Sequence, residues 1–274
     1  MENELERKRM ELQSYTIALR SESLWKKEVN RPESEGLLYA VLCKERFHEL
    51  ERSIRFATKW KGLENKLILD AMCGGGMYSQ WFAEIGCRVV GVDLSMDFCL
   101  VAKERKIQRG FEADFIRADI NLSPFKDNNY FDLVFISAAL HHLLDVRNAL
   151  KELCKVGETI IIINEPLVVP MIERLGLTRK EPLAKNLKPR RFKIGEIDNW
   201  LQDNGYSIIW KRREQFLVPM FIRRVRNKLL IRIASLTYDV FNKMFWTKVG
   251  TTVSLIAVRK NGEARVLLTT KQKN

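Results

Sequence analysis

The 274-residue chain reads as an α/β protein built on a doubly wound, largely parallel sheet. Two observations carry that reading. Five short apolar runs are separated by segments long enough to be helices, the pattern of strands covered on both faces. The first run is followed at once by Gly74-Gly75-Gly76. A strand, a tight turn and a helix start are the local geometry by which open α/β sheets hold a ligand at their carboxyl edge.

The elements follow in order. Residues 1–60 are expected to be helical: Leu37, Leu38, Val41, Leu42, Phe47, Leu50, Ile54 and Phe56 fall at the spacings of a half-buried helical face. Arg31-Pro32-Glu33-Ser34-Glu35-Gly36 reads as a turn between two of these helices. Leu67-Ile68-Leu69-Asp70 is a strand ending in an acid. After the glycines, Tyr78-Ser79-Gln80-Trp81-Phe82-Ala83-Glu84 reads as a helix.

Cys87 to Ser95 is the second strand, with Asp93 near its tip. A carboxylate placed there can accept from both hydroxyls of a ribose diol. Phe115 to Ile120 is the third strand and again carries an acid, Asp119. Tyr130 to Ser137 is the fourth, followed by Ala138-Ala139-Leu140-His141-His142, and Glu158 to Pro166 is the fifth.

Beyond the fifth strand comes a polar section punctuated by Pro166, Pro170, Pro182 and Pro189, read as loop with short helices. Residues 195–205 suggest a short helix with a glycine stop. Tyr206 to Arg212 and Thr251 to Arg259 supply a sixth and a seventh strand.

From about 60 to 165 the chain resembles a class I S-adenosylmethionine-dependent methyltransferase, of the small-molecule (methyltransferase type 11) kind that includes ubiquinone and menaquinone biosynthesis enzymes. The resemblance rests on five matches in order. Asp70, Cys73, Gly74 and Gly76 match the family's acid and glycine loop, and Asp93 in Val92-Asp93-Leu94-Ser95 its ribose-binding acid. Asp119 matches its adenine-contacting acid, and Leu122-Ser123-Pro124-Phe125 with Phe131-Asp132 continues in register. Leu140-His141-His142-Leu143 with Asp145 fits the segment after the fourth strand.

The resemblance implies a Rossmann-like seven-stranded sheet of six parallel strands and one antiparallel, with N-terminal helices and a helical insertion between the last two strands. It implies S-adenosylmethionine as cofactor and S-adenosylhomocysteine as product. Asp70, Cys73, Gly74, Gly76, Asp93, Leu94, Asp119, Ile120 and Ser137 are the implied cofactor-binding positions. One position departs: the family usually has glycine just before the cysteine, and this chain has Met72. A dinucleotide is the rival ligand, but its loop would want a glycine where Ser79 stands, and Asp70 would repel a pyrophosphate. A sulfonium cofactor with an amino group favours that carboxylate instead.

Three parts result. Residues 1–60 form a helical cap, a lid over the pocket or a cover for the sheet edge. Residues 61–165 are the cofactor-binding core, and 166–274 complete the sheet with substrate-side loops and an insertion at about 219–248. In that insertion Ile222, Val225, Leu229, Ile233, Leu236, Val240 and Met244 recur at steps of three and four. Arg223, Arg224, Arg226, Lys228 and Arg232 crowd its first half. Three readings stay open for it: a membrane-surface element, a closure over a hydrophobic substrate, or a helix packed on the domain.

The formal charge of +13 asks for an anionic partner: a membrane surface, an anionic substrate or nucleic acid. Basic residues cluster with apolar stripes rather than with stacking aromatics, which favours a small or lipid-like acceptor over RNA. The charged N-terminus lacks the apolar stretch of a secretory signal, and no run is long enough for a spanning helix. A cytoplasmic protein, peripheral at most at the inner face of a membrane, is expected. The five cysteines lack C-x-x-C pairing, so reduced thiols and no metal site are expected.

The sulfonium methyl is already activated, so the protein mainly aligns an acceptor and excludes water. Where the acceptor needs deprotonation, His141 or His142 is the candidate base, at the mouth of the fourth strand. A structural role for both is the alternative. Asn164 and Glu165 are candidate positioning groups, and His48 is read as a surface or packing residue. The expected activity is methyl transfer to a small, hydrophobic or lipid-linked acceptor. An RNA methyltransferase, including the tRNA kind, and a non-catalytic scaffold on the same fold are the alternatives.

Overall fold

The computed structural model describes residues 21–122, 125, 130–169, 190–214 and 250–260. The insertion at 219–248, most of the proline-punctuated section, Ser123 and Pro124 lie outside the described residues.

Seven strands form one sheet in the order β3-β2-β1-β4-β5-β7-β6. They are β1 (Leu67–Ala71), β2 (Arg88–Asp93), β3 (Asp114–Arg117), β4 (Phe131–Ser137), β5 (Gly157–Pro166), β6 (Tyr206–Glu214) and β7 (Thr252–Arg259). β1 to β5 pair in parallel, and β7 lies antiparallel between β5 and β6. This is the expected arrangement of six strands in one direction and one reversed. The chain order reverses between β1 and β4, and at such a switch point the strand tips leave a crevice for a ligand.

Alternate residues of the strands feed two apolar layers. Leu69, Val134, Ile136, Ile160, Ile162 and Leu255 face one side; Ile68, Leu133, Phe135, Ile161, Ile163 and Ile256 face the other. Both faces are apolar because both are covered, which is why the strands read as continuous apolar runs rather than alternating ones.

The described helices supply the covers. They are α1 (Glu22–Val29), α2 (Leu37–Thr58), α3 (Met77–Glu84), α4 (Met96–Arg109), α5 (Val146–Val156) and α6 (Glu196–Asp203). α5 and α6 close the first layer through Leu150, Leu153, Ile197 and Leu201. α2, α3 and α4 close the second through Phe47, Leu50, Ile54, Trp81, Phe82 and Ala102. Caps fix their ends. The Ser95 hydroxyl accepts from Phe98 N at the start of α4, the Asp145 carboxylate accepts from Asn148 N at the start of α5, and Gly110 ends α4 in the left-handed region.

The apolar face expected of the N-terminal helices holds in part. Leu42, Phe47, Leu50 and Ile54 are buried, whereas Phe56 is 87% and Leu37 46% exposed. Both lie in the end turns of α2. Among the described residues no helix is long and apolar enough to cross a membrane.

Candidate active site

The glycine loop is closed by the acid of the neighbouring strand. One carboxylate oxygen of Asp93 accepts from Gly74 N at 2.9 Å and the other from Ser95 N at 2.9 Å. Cys73 N donates to Val92 O at 3.0 Å, so the loop lies against the tip of β2. Each glycine has its own reason. Gly74 has φ +51 and nothing within 4 Å of where a Cβ would stand, so it faces open volume at the strand tips. Gly76 has φ +74, and a Cβ there would come within 3.0 Å of Ala102 and 3.1 Å of the Phe115 ring. It therefore lets α3 and α4 approach each other. Met72 also sits in the left-handed region, at φ 59, where family members place glycine. Its side chain packs against the apolar cluster beneath α5.

The site's electrostatics are dominated by partly and fully desolvated carboxylates. Asp70, 2% exposed at the end of β1, accepts from the Ser79 hydroxyl at 2.5 Å. Burial pushes its carboxyl up to about 7, against the Ser79 bond and with the Asp93 charge adding to the rise. Burial also raises Asp93, opposed by the backbone N–H groups of Ser95, Gly74 and Leu94. The Cys73 thiol is held well above its usual range by burial, with Asp70 and Asp93 contributing. Arg117 lies in register with Asp93 on β3, and its Nε donates to Leu94 O at 3.2 Å. A positively charged ligand favours the ionised form of either carboxylate.

On the next strand tip, Asp119 follows β3 rather than ending it. Its carboxylate accepts from Asn121 N at 2.9 Å and caps a short turn in which Ile120 is buried. Ala118 N donates to Asp93 O at 3.0 Å, which brings this tip beside that of β2. Leu94 is 38% exposed at the same edge.

The tips of β4 and β5 form the other wall. Glu165 is wholly buried and its carboxylate gathers the turn after β4. It accepts from Ala139 N at 2.7 Å, Leu140 N at 2.9 Å, His141 N at 3.2 Å and His141 Nδ1 at 2.9 Å. His141 is buried, and the half-buried His142 stacks on it with ring centroids 4.0 Å apart. Ser137 lies close enough to the Tyr78 hydroxyl to lower its pKa against the rise that burial imposes. Arg46 Nη2 donates to Asn164 Oδ1 at 2.9 Å, tying α2 to β5. Ala138 (φ 49) and Asn164 (φ 60) are left-handed without being glycine. Among the described residues, three of the five such positions, Met72, Ala138 and Asn164, stand at the tips of β1, β4 and β5, and stored strain of this kind concentrates at functional sites.

The residues expected from the sequence are all described and lie along one sheet edge. Asp70, Cys73, Gly74, Gly76, Asp93 and Leu94 gather at β1 and β2, Asp119 and Ile120 after β3, Ser137, His141 and His142 at β4. Glu165, expected to face the substrate side, is buried under the turn instead, because three backbone N–H groups converge on it. His48 is a surface residue, with Nδ1 3.7 Å from Glu51. Sequence reasoning missed Arg46, Tyr78 and Ser79. Tyr78 and Ser79 follow the glycine loop and were legible as the first turn of its helix, whereas Arg46 reaches Asn164 across 118 residues and left no local signal.

Known proteins agree with this geometry. Residues 69–159 match the family model described as a methyltransferase domain. The ubiquinone biosynthesis O-methyltransferase of Pseudoalteromonas translucida is 33% identical over 104 residues, 37% of this chain and 44% of that enzyme. The chain's match thus spans less than half the length of this curated relative. Among solved structures, the magnesium protoporphyrin IX methyltransferase of Synechocystis, with bound S-adenosylmethionine, aligns at TM-score 0.50 and 17% identity. That alignment covers 81% of this chain and 84% of that one. The YcgJ protein of Bacillus subtilis aligns at TM-score 0.53 and 18% identity, over 76% and 98%. The structures speak for the fold, and the sequence match is to a methyltransferase domain over residues 69–159.

Proposed function

We propose that the chain is an S-adenosylmethionine-dependent methyltransferase acting on a small, hydrophobic or lipid-linked acceptor. The observation that carries the reading is that the buried Asp70 and the half-buried Asp93 flank a glycine loop whose Gly74 faces open volume. Asp93 would take the ribose hydroxyls on the lone pairs its two backbone bonds leave over. Asp70 would face the cationic methionine end, and Asp119 the adenine edge. When bound, the cofactor supplies an activated methyl group.

The chain's own residues align the acceptor and manage its proton. Glu165 orients the His141 ring through Nδ1, and His141 would serve as the base for an acceptor hydroxyl. His142, half-buried and stacked on His141, is the companion candidate. Arg46, Asn164, Tyr78 and Ser137 form a polar rim at the same tips. The lipid-linked character of the acceptor is supported by the ubiquinone pathway named for the curated relative. The basic amphipathic stretch at 219–248 also supports it, and with it peripheral contact with an anionic membrane from the cytoplasm.

The test is calorimetric titration of the purified chain with S-adenosylmethionine and S-adenosylhomocysteine, with NADH as control, followed by an acceptor screen of quinols and other phenols. Binding of both adenosyl ligands and not NADH, with product in the screen, is expected. Absence of adenosyl binding overturns the reading in favour of a scaffold role, and product with tRNA alone overturns the acceptor class.

A further inference from the structure

Arg105, on α4, is 1% exposed. A guanidinium buried this deeply ordinarily meets a carboxylate, yet this one gives its hydrogen bonds to four uncharged oxygens. Nε donates to Gly75 O at 2.7 Å. Nη1 donates to Arg31 O at 2.5 Å and to the Gln80 side-chain oxygen at 3.3 Å, and Nη2 donates to Glu28 O. Gly75 belongs to the glycine loop, Gln80 to the helix after it, and Glu28 and Arg31 to the end of α1 and the turn beyond. Carbonyls at a helix C-terminus carry the negative end of the helix dipole and suit a cation.

The same face of α4 repeats the connection. Val101 packs with Val29, Trp25 and Phe98, the Trp25 indole N–H donates to Glu104, and Arg109 pairs with Glu33 at 3.5 Å. Positions 101, 104, 105 and 109 are spaced as one helical face. Gly75 permits the approach: a Cβ there would stand 3.0 Å from a Val101 methyl and 3.7 Å from Glu28 O.

We propose that Arg105 is a positioning residue for cofactor binding, a staple through which the glycine loop and residues 22–36 order one another. The proposal rests on the reading that this loop holds S-adenosylmethionine. Because such coupling is reciprocal, a ligand that orders the loop also orders the N-terminal segment.

The experiment is hydrogen–deuterium exchange on the full chain with and without S-adenosylhomocysteine, beside calorimetric Kd values, for wild type, Arg105→Gln and Trp25→Phe. Ligand is expected to slow exchange across 22–36 in wild type. In Arg105→Gln that protection is lost and Kd rises about tenfold or more. A merely structural role would lower the Tm of the free protein and leave Kd and ligand-induced protection unchanged, and that result in a folded Arg105→Gln overturns the proposal.

If Arg105→Gln does not fold, Trp25→Phe, which removes only the indole donor at the rim, decides. Weaker ligand binding with reduced protection supports the staple; wild-type values overturn it. Failure of wild type itself to bind sinks the cofactor reading. The staple then stands or falls on whether ligand-free exchange at 73–76 accelerates in Trp25→Phe.

Discussion

Glu165 and His141 form a buried pair, carboxylate to Nδ1 at 2.9 Å, and the same carboxylate also takes three backbone N–H groups of the turn that carries the histidine. One side chain therefore sets both the path of the chain after β4 and the tautomer of its imidazole. In Glu165→Gln an amide N–H₂ would confront N–H donors. A loss of about 3 kcal/mol in urea unfolding is expected, and an acceptor-dependent kcat should fall further than in His142→Ala. A variant as stable as wild type would contradict this account of the turn.

Asp93 closes the loop and, on the proposed function, would take the ribose diol. Asp93→Ala is expected to weaken S-adenosylhomocysteine binding by about a hundredfold, roughly 3 kcal/mol, with a lower Tm because Gly74 N and Ser95 N lose their acceptor. Calorimetry on the folded variant measures the first, a thermal melt the second. Wild-type affinity would remove Asp93 from the cofactor site.

On the proposed function, Asp70 would link cofactor binding to pH. Its native carboxyl titrates near 7, raised by burial from an ordinary value of 3.8. Between those values the native state holds a proton the unfolded chain has released, so this residue makes stability fall as pH rises through that window. A cationic ligand reverses the preference and expels the proton. Affinity for S-adenosylmethionine should therefore rise with pH up to about 7, by at most about tenfold per pH unit, with proton release detectable by titration in buffers of different ionisation heat. Asp70→Asn should abolish the pH dependence; a persistent slope would assign it elsewhere.

Met72 holds a left-handed backbone at φ 59, which costs an unbranched residue about 1 kcal/mol and a β-branched one more. Met72→Val is expected to be less stable than Met72→Gly by about 1–2 kcal/mol in chemical denaturation, with Met72→Gly retaining cofactor affinity. Equal stabilities would show that the loop relaxes out of this conformation.

Much of the fold was legible because a parallel sheet covered on both faces writes itself as continuous apolar runs, and strands β1, β2, β4 and β5 came within a few residues of their observed bounds. The glycine loop and Asp93 were legible for a local reason, since turn chemistry lies within a few residues. Asp119 was found as an acid near a strand end, but β3 stops at Arg117 because Asp119 caps the following turn. The orientation of Glu165 was not legible: along the chain it alternates as if facing a site, and only the turn 24 to 26 residues away draws it inward. The sequence does not single out Arg105, because three of its four partners are backbone carbonyls, which have no sequence signature.

Cys73 gives the loop a chemical property of its own. A thiolate is a strong nucleophile, a thiol a poor one, and here burial and two neighbouring carboxylates keep the sulfur protonated. Were the loop to hold the proposed sulfonium cofactor, an ionised cysteine there would compete with the acceptor and end as a methylated thioether. On that reading, the charge pattern that would favour a cationic ligand would also keep this thiol from taking its methyl group.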